Sequence, residues 1–376
     1  MQNKCMLYLR IILFLIPALL IFFGGHYALY FSVVRFFSIT NSTYKFIFAG
    51  VLAFLAVSFF TSSILARFSE NTFTRILYFL SASWLGLLVN LLLACGFVAI
   101  VLLIARIVDF SINGVLLASV FFIIAFFFSL YGVWNAMNPQ VKEVSVAIPN
   151  LPEEWKGKKV VQLSDVHLGI VHREDFMRDI VTKIEAVNPN MVVITGDLFD
   201  GMDGDVTPLV RPLLDLKPSN GMYFITGNHE TYLGVDDALL ALSKTNVKVL
   251  KNEVVDVNGL KLIGINYPTL DENENVSTIL DSLKEKYFGM PNILLYHAPT
   301  SIAEIKARGV NLQLSGHTHK GQLFPFGYIT KLIYKGYDYG LFTEGNYSLY
   351  TTNGVGTWGP PMRTGNTPEI VVITLK

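Results

Sequence analysis

Four stretches of this 376-residue chain, residues 11–34, 46–66, 76–105 and 115–137, contain no Asp, Glu, Lys or Arg. Each can supply the ~20 apolar residues that cross a hydrocarbon core of ~30 Å. They are expected as transmembrane helices rather than as pieces of a soluble core. Hydrophobic residues make up 52% of the chain and charged ones 15%, and the apolar excess lies in the first third. The first block is long and lacks a small-x-small cleavage site, so it reads as a retained helix rather than a signal peptide. The third block, as one helix of thirty residues, would span ~45 Å at 1.5 Å per residue. It must tilt, protrude or break. Gly86, Asn90 and Gly96 lie where a break, and hence a fifth span, would fall.

Charge divides the chain at the same place. Residues 1–138 carry seven Lys/Arg and two Asp/Glu, whereas residues 139–376 carry twenty-two and twenty-seven. The expected organisation is a membrane region, 1–138, followed by a soluble domain, 139–376. A net acidic domain without a basic run argues against nucleic acid as a partner. With four spans, Lys4, Arg10, Arg67, Arg75 and Lys142 share one side of the bilayer, and Arg35, Lys45 and Arg106 the other. The excess of cations places the N-terminus and the soluble domain of this integral, multi-pass protein in the cytoplasm; a fifth span would move the domain across. Both cysteines, Cys5 and Cys95, fall in the membrane region, so cysteine usage is silent on redox compartment.

Beyond Asn138-Pro139 the pattern changes. Val141–Ile148 alternates as a strand, and Arg173–Val187 carries apolar residues at 176, 177, 180, 181, 184 and 187, a helical stripe. Asp236–Leu242 and Ser301–Ala307 are shorter helix candidates. Repeated strand–helix units indicate a sheet sandwich or an open sheet flanked by helices.

Five short apolar runs in this part, VVQLS, MVVIT, MYFIT, NILLY and LQLS, each precede a polar cluster. The clusters are Asp165-Val166-His167, Gly196-Asp197, Gly227-Asn228-His229-Glu230, His297 and Gly316-His317-Thr318-His319. Buried strands would set every cluster at a strand's C-terminal end, the edge where function collects in open α/β sheets. Carboxylate, imidazole and amide are hard-to-borderline metal ligands, and five of the seven histidines lie in these clusters. Taken singly, an Asp after a strand is an ordinary turn residue and a buried His an ordinary core residue. Five such clusters in order point to a two-metal hydrolytic site. Asp165 and His167, two apart, would face the same side of an extended chain. Asp197 has two oxygens with which to bridge. Asn228 offers an amide oxygen, and His297, His317 and His319 offer ring nitrogens. Two divalent ions ~3.5–4 Å apart can hold a hydroxide between them and clamp a phosphate. Mn, Fe and Zn suit such mixed donors equally.

The ordered set D-x-H, G-D, G-N-H-[D/E], H and G-H-x-H resembles the calcineurin-like metallophosphoesterase superfamily, over roughly residues 140–376. The apolar first third is similar to its multi-pass, membrane-anchored members. The resemblance implies a four-layer α-β-β-α sandwich. It implies a first metal on Asp165, His167, Asp197 and His319, and a second on Asp197, Asn228, His297 and His317. It also implies that His229 is the general acid, paired with a carboxylate three residues beyond the bridging Asp, here Asp200. Glu230 stands where many members carry Asp.

The expected function is a membrane-anchored phosphohydrolase cleaving a phosphodiester, pyrophosphate or phosphomonoester. A lipid-linked substrate is one form of this reading, because the anchor concentrates the enzyme at the bilayer. A narrower alternative is the UDP-2,3-diacylglucosamine pyrophosphatase of lipid A synthesis. A non-catalytic scaffold on the same fold would be expected to have lost ligands, and this chain has lost none. Two features stay open. Phe324–Tyr339 holds six aromatics with Lys331 and Lys335, either an ordinary hairpin or a surface against the membrane interface. Arg363, in Gly359-Pro360-Pro361-Met362-Arg363, is either a bidentate phosphate binder or a surface ion pair.

Overall fold

The structure, a computed structural model, describes residues 2–201, 205–268 and 275–376, with side chains from residue 16 onward. The side chains of Lys4, Cys5 and Arg10 thus lie outside the described residues. The chain divides into two compact units, 1–132 and 133–376.

The uncharged blocks become helices α1 (Gln2–Phe36), α2 (Ser42–Phe68), α3 (Thr72–Ile107) and α4 (Gly114–Ala136). All four are long and apolar enough to cross a membrane. Asn71 caps the start of α3, its side chain accepting from Phe73 and Thr74 N–H while Thr74 Oγ1 accepts from the Asn71 N–H. The helix then runs unbroken for 36 residues. The five-span alternative is therefore corrected: Gly86 and Asn90 are buried packing positions, not a break. Asn90 Nδ2 donates to Ser129 Oγ (2.8 Å), and Trp84 Nε1 to His26 Nε2 (3.1 Å). Ser62 and Ser81 share a hydroxyl bond of 2.6 Å. Such polar pairs supply specific attraction between helices that hydrocarbon cannot. Phe46, Phe54, Leu103 and Ile123 face outward, as lipid-facing side chains should.

The last turn of α4, from Val133, belongs to the second unit, which then builds twelve strands. These are β1 (Gln140–Val146), β2 (Lys159–Leu163), β3 (Met191–Thr195), β4 (Met222–Ile225), β5 (Val247–Val249), β6 (Glu253–Val257), β7 (Leu260–Ile265), β8 (Asn292–Tyr296), β9 (Leu312–Ser315), β10 (Gly340–Glu344), β11 (Tyr347–Thr351) and β12 (Glu369–Leu375). Interspersed are α5 (Glu174–Val187), α6 (Thr207–Val210), α7 (Asn228–Leu233), α8 (Val235–Leu242), α9 (Val276–Leu283), α10 (Ile302–Ala307) and α11 (Gly327–Ile333). Two six-stranded mixed sheets result, ordered β1-β12-β2-β3-β4-β5 and β10-β11-β9-β8-β7-β6.

Strand alternation sorts the apolar side chains into three cores. Val161, Leu163, Val192 and Ile194 pack under α5 residues Met177, Ile180 and Ile184. Their neighbours Val160, Val193 and Ile225 meet Leu262, Ile293, Leu295, Leu312 and Leu314 of the other sheet. On its far face Ile263, Ile265 and Leu294 pack against Ile279, Leu280 and Leu283 of α9. Helix, sheet, sheet and helix are thus stacked in four layers, as the resemblance implied. Strands β2, β3 and β4 are mutually parallel, as are β8 and β9. Their C-terminal ends carry the five polar clusters.

Candidate metal centre

The ligand-type side chains converge. Asp165, His167 and His319 offer donor atoms within 4.8 Å of one another; so do Asp197, His297 and His317, and so do His167, Asp197 and His229. Asp197 and His167 join the three groups into one. His167 Nε2 faces His319 Nε2 at 3.0 Å, and His319 Nε2 lies 3.4 Å from Asp165 Oδ1. On the other side His297 Nε2 lies 3.1 Å from Asp197 Oδ2 and 3.2 Å from His317 Nδ1. Ring nitrogens and carboxylate oxygens aimed at each other at this spacing are donor sets that could hold a metal ion.

Two further observations test the fit of metal ions. Asn228 Oδ1 is buried without a hydrogen-bond partner, although buried polar atoms are ordinarily satisfied. A cation beside it would supply the missing partner. His297 Nδ1 lies 2.7 Å from the Thr195 carbonyl, which can only accept. Nδ1 therefore carries a proton whatever the charge on the ring, and Nε2, turned to the site, is the nitrogen from which a metal ion would displace the other proton, the usual device for orienting a ligating imidazole.

Local backbone conformation aims these groups. Asp165, His167, Asp197, His317 and His319 all adopt left-handed φ, from 47° to 70°. Non-glycine residues avoid that region, and clusters of such strain mark functional sites. Asp165 and His167 are therefore juxtaposed by a kinked loop beyond β2, not by an extended strand; this corrects the geometry expected from their spacing. The loops also grip one another. Asp165 oxygens accept the His317 N–H (3.0 and 3.1 Å), and Asp197 Oδ1 accepts the His229 N–H (2.9 Å). Gly227 and Gly316 allow this close approach: a Cβ on the first would overlap Asp197, and on the second Ser164 and Asp165.

The electrostatics follow from burial opposed by proximity. Burial alone would lower His297, but the Asp197 carboxylate outweighs it and holds the imidazole up at about 10. Burial would raise Asp197; His297 and His167 overcome it and keep the carboxyl well below its usual range. Burial and the neighbouring cationic His297 push His317 down to about 4.

His229 and Asp200 meet differently from expectation. His229 Nδ1 donates to the Asp200 backbone carbonyl (2.7 Å), leaving Nε2 as the free nitrogen. The Asp200 carboxylate turns instead toward His167, Oδ1 lying 3.6 Å from Nδ1, too far for a hydrogen bond. Asp200 thus orients His229 through the main chain. Arg363 is wholly buried rather than a surface pair. Its Nε donates to Gly356 O, its Nη1 to Asn366 Oδ1 and its Nη2 to Asn353 O and Gly356 O, with Nη2 3.2 Å from His319 Nδ1. The guanidinium is held by its own loop, so it does not present a free fork to phosphate.

Glu230 was legible as a motif member but not in its role. Fully buried, it accepts N–H groups of Asp197 (3.0 Å), Phe199 (3.1 Å) and Gly227 (2.6 Å), stapling two ligand loops. Burial, then the Asp197 charge, raises it to about 7. Tyr267, Tyr334 and Trp358 wall the site: the two tyrosines lie against His317 (both 6.1 Å between ring centroids), and Trp358 against His229 (6.4 Å). Tyr334 belongs to the aromatic stretch 324–339 singled out in the sequence, whereas no sequence pattern marked Tyr267 or Trp358.

Residues 158–321 match the family described as calcineurin-like phosphoesterase. Over 374 residues the chain is 32% identical to an uncharacterized metallophosphoesterase of Campylobacter jejuni, covering 97% of this chain and 98% of that one. An uncharacterized metallophosphoesterase of Helicobacter pylori is 33% identical over 67% of this chain and 70% of its own length. A transmembrane protein with metallophosphoesterase domain from Danio rerio is 32% identical over 66% of this chain and 60% of its own. With its ligand clusters and near full-length likeness, this chain belongs to the calcineurin-like metallophosphoesterases, metal-dependent hydrolases of phosphoesters.

Proposed function

We propose that the chain is a membrane-anchored, binuclear phosphohydrolase whose catalytic domain is residues 139–376. Asp165, His167, Asp197 and His319 would hold one divalent ion, and Asp197, Asn228, His297 and His317 a second, with Mn, Fe or Zn as candidates. Such ions polarise phosphoryl oxygens and make water a nucleophile near neutral pH. The observation that carries the reading is the sharing of Asp197 between His167 on one side and His297 with His317 on the other, beside the orphaned Asn228 oxygen.

His229 is the candidate proton donor to the leaving oxygen, through Nε2. Burial and the nearby His167 lower its affinity for a proton. An incoming phosphate anion would raise it again, so the imidazolium would form when substrate is present. Arg363 and Asp200 support the site by holding loops and rings, rather than by touching substrate.

Apolar helices joined to this domain support a substrate carried by, or linked to, lipid. The relatives matched are named only as metallophosphoesterases, so nothing favours the UDP-2,3-diacylglucosamine pyrophosphatase reading over a general phosphoesterase. Purified full-length protein with added Mn²⁺ should be assayed on aryl phosphodiesters, phosphomonoesters and UDP-diacylglucosamine, beside Asp197→Asn. A neutral amide cannot offset two dications, so Asp197→Asn should abolish metal-dependent hydrolysis; full activity in that variant would defeat the binuclear reading. We place the domain on the cytoplasmic side from the Lys/Arg distribution around four spans. A reporter fused after Lys376 tests this, and an extracytoplasmic signal would reverse it.

A further inference from the structure

We propose that α11 and the segment leading into it are a membrane-interface element that sets the metal centre at the level of lipid headgroups. The proposal rests on the reading of α1–α4 as membrane spans. The sequence left 324–339 as a hairpin or an interfacial surface; the structure makes its centre a helix with no buried residue. Tyr328, Ile329, Leu332 and Ile333 are 69%, 52%, 80% and 64% exposed, and Phe324 and Phe326 beside them are 41% and 37% exposed. Single exposed apolar residues are ordinary, but six within ten positions form a patch that calls for an occupant.

Three observations select a lipid surface as that occupant. First, exposed Lys331 and Lys335 flank the apolar side chains. Aromatic and aliphatic groups rimmed by lysine suit the boundary between acyl chains and anionic headgroups.

Second, the patch is tied to the place where the chain leaves its last apolar helix. Asn135, in the final turn of α4 and within the second unit, donates Nδ2 to the carbonyls of Arg363 (2.9 Å) and Asn366 (2.8 Å). The same short loop holds the foot of the patch. Phe324 N donates to Thr364 Oγ1 (3.2 Å), and Gly365 N to Gln322 O (3.0 Å).

Third, a groove of about 660 Å³ beside α11 is lined by Lys320, Phe324, Tyr328, Lys331, Tyr339 and Phe342, and at its wall by the buried Asp338, whose Oδ2 lies 3.2 Å from Thr330 Oγ1. The Lys320 ammonium sits 4.0 Å above the Tyr339 ring, one residue beyond His319. A cationic rim over aromatic walls matches a phosphate-bearing headgroup above its acyl chain. Seated this way, the centre would meet substrates that reside in the bilayer without their leaving it.

The test uses the full chain in phosphatidylglycerol/phosphatidylcholine vesicles. In a background with Cys5→Ser and Cys95→Ala, Leu332→Cys carries an environment-sensitive fluorophore, and a second protein carries it at Phe54→Cys on α2. Lipids spin-labelled near the headgroup should quench the Leu332 probe several-fold more strongly than aqueous iodide does. Iodide quenching alone at Leu332, with the Phe54 probe quenched by deep spin labels, would overturn the α11 proposal and leave the membrane spans standing. If neither probe responds to lipid quenchers, the spans fail and the proposal with them. Disulfide cross-linking of Leu332→Cys between chains without lipid quenching would make the patch a contact between copies, and would likewise overturn it.

Discussion

Gly316→Ala is the sharpest probe of how the loops grip the centre. The position follows β9 and precedes His317, and its backbone is not in the left-handed region, so alanine adds no dihedral strain. The added methyl would overlap Ser164 Oγ and Asp165 Oδ2, and would lie 2.8 Å from Ser164 Cβ. Carbon atoms prefer ~3.5–4.0 Å, so the two loops must separate by on the order of 1 Å. Asp165 also accepts the His317 N–H, so displacing one disturbs the other. Overpacking of this kind costs ~1–3 kcal/mol of stability, and a ~1 Å misplacement of reacting groups costs ~10²-fold in rate. The full chain would be purified in detergent. Metal content would be read by mass spectrometry, Mn²⁺-dependent hydrolysis by a nitrophenyl diester, and stability by thermal melting. Gly50→Ala, a helical site with nothing within 4 Å, is the control. Wild-type metal content together with a wild-type rate in Gly316→Ala would refute the claim that this contact positions Asp165.

Two other outcomes follow from single residues. His229→Ala should keep its metal but lose ~10²–10⁴-fold on esters with poor leaving groups, and far less on nitrophenyl esters, which need little protonation; equal losses on both would remove His229 as the acid. His172 is fully buried and accepts the Thr357 N–H at Nε2 (3.1 Å). Burial, then the positive charges of His167 and Arg363, lowers it to about 3. The unfolded chain, with His near 6.5, takes up the proton first, so this residue makes stability fall as pH drops from about 6.5 toward 3. At pH 5 the cost is on the order of 2 kcal/mol. The melting temperature of His172→Gln should therefore fall less between pH 7 and pH 5 than that of the wild type, and parallel slopes would contradict the assignment.

The clusters of ligand-type residues were legible because a buried strand and its end are both local signals. MVVIT is too apolar to be anything but interior, and Gly196-Asp197 cannot continue it. The same holds for LQLS before Gly316. The helix α5 was legible for a similar reason: Phe176, Met177, Ile180, Val181 and Ile184 recur at the helical period. What escaped was set by contacts between distant segments. A carboxylate paired with a histidine by resemblance does not say which of its atoms will face the ring, so Asp200 meets His229 by its carbonyl. A cation in a Pro-rich loop looks exposed until the loop folds over it, and Arg363 is buried by residues 353–366 and by His319.

The strained loops show why such details sit beyond the reach of spacing. Asp165 and His167 alternate in sequence as strand residues would, yet both are left-handed. Isolated, each such residue costs about 1–3 kcal/mol, so a peptide of this sequence would relax. The conformation persists because other chain segments hold it. The Asp165 N–H donates to Gly196 O (3.1 Å), the His167 N–H to Asp197 O (3.1 Å), and Gly356 N–H reaches the Asp165 carbonyl (2.8 Å). Glu230 then fixes Asp197 and Gly227 together from below. The residue types declare the chemistry, while the aim of each donor belongs to a network closed by four other loops. Within that network, a substitution that spares every ligand, such as Glu230→Ala, should strand three buried N–H groups at ~1–3 kcal/mol apiece. Its effect on metal affinity would show whether the network aims the ligands or merely stabilises the fold: unchanged affinity with lowered melting temperature would assign it to stability alone.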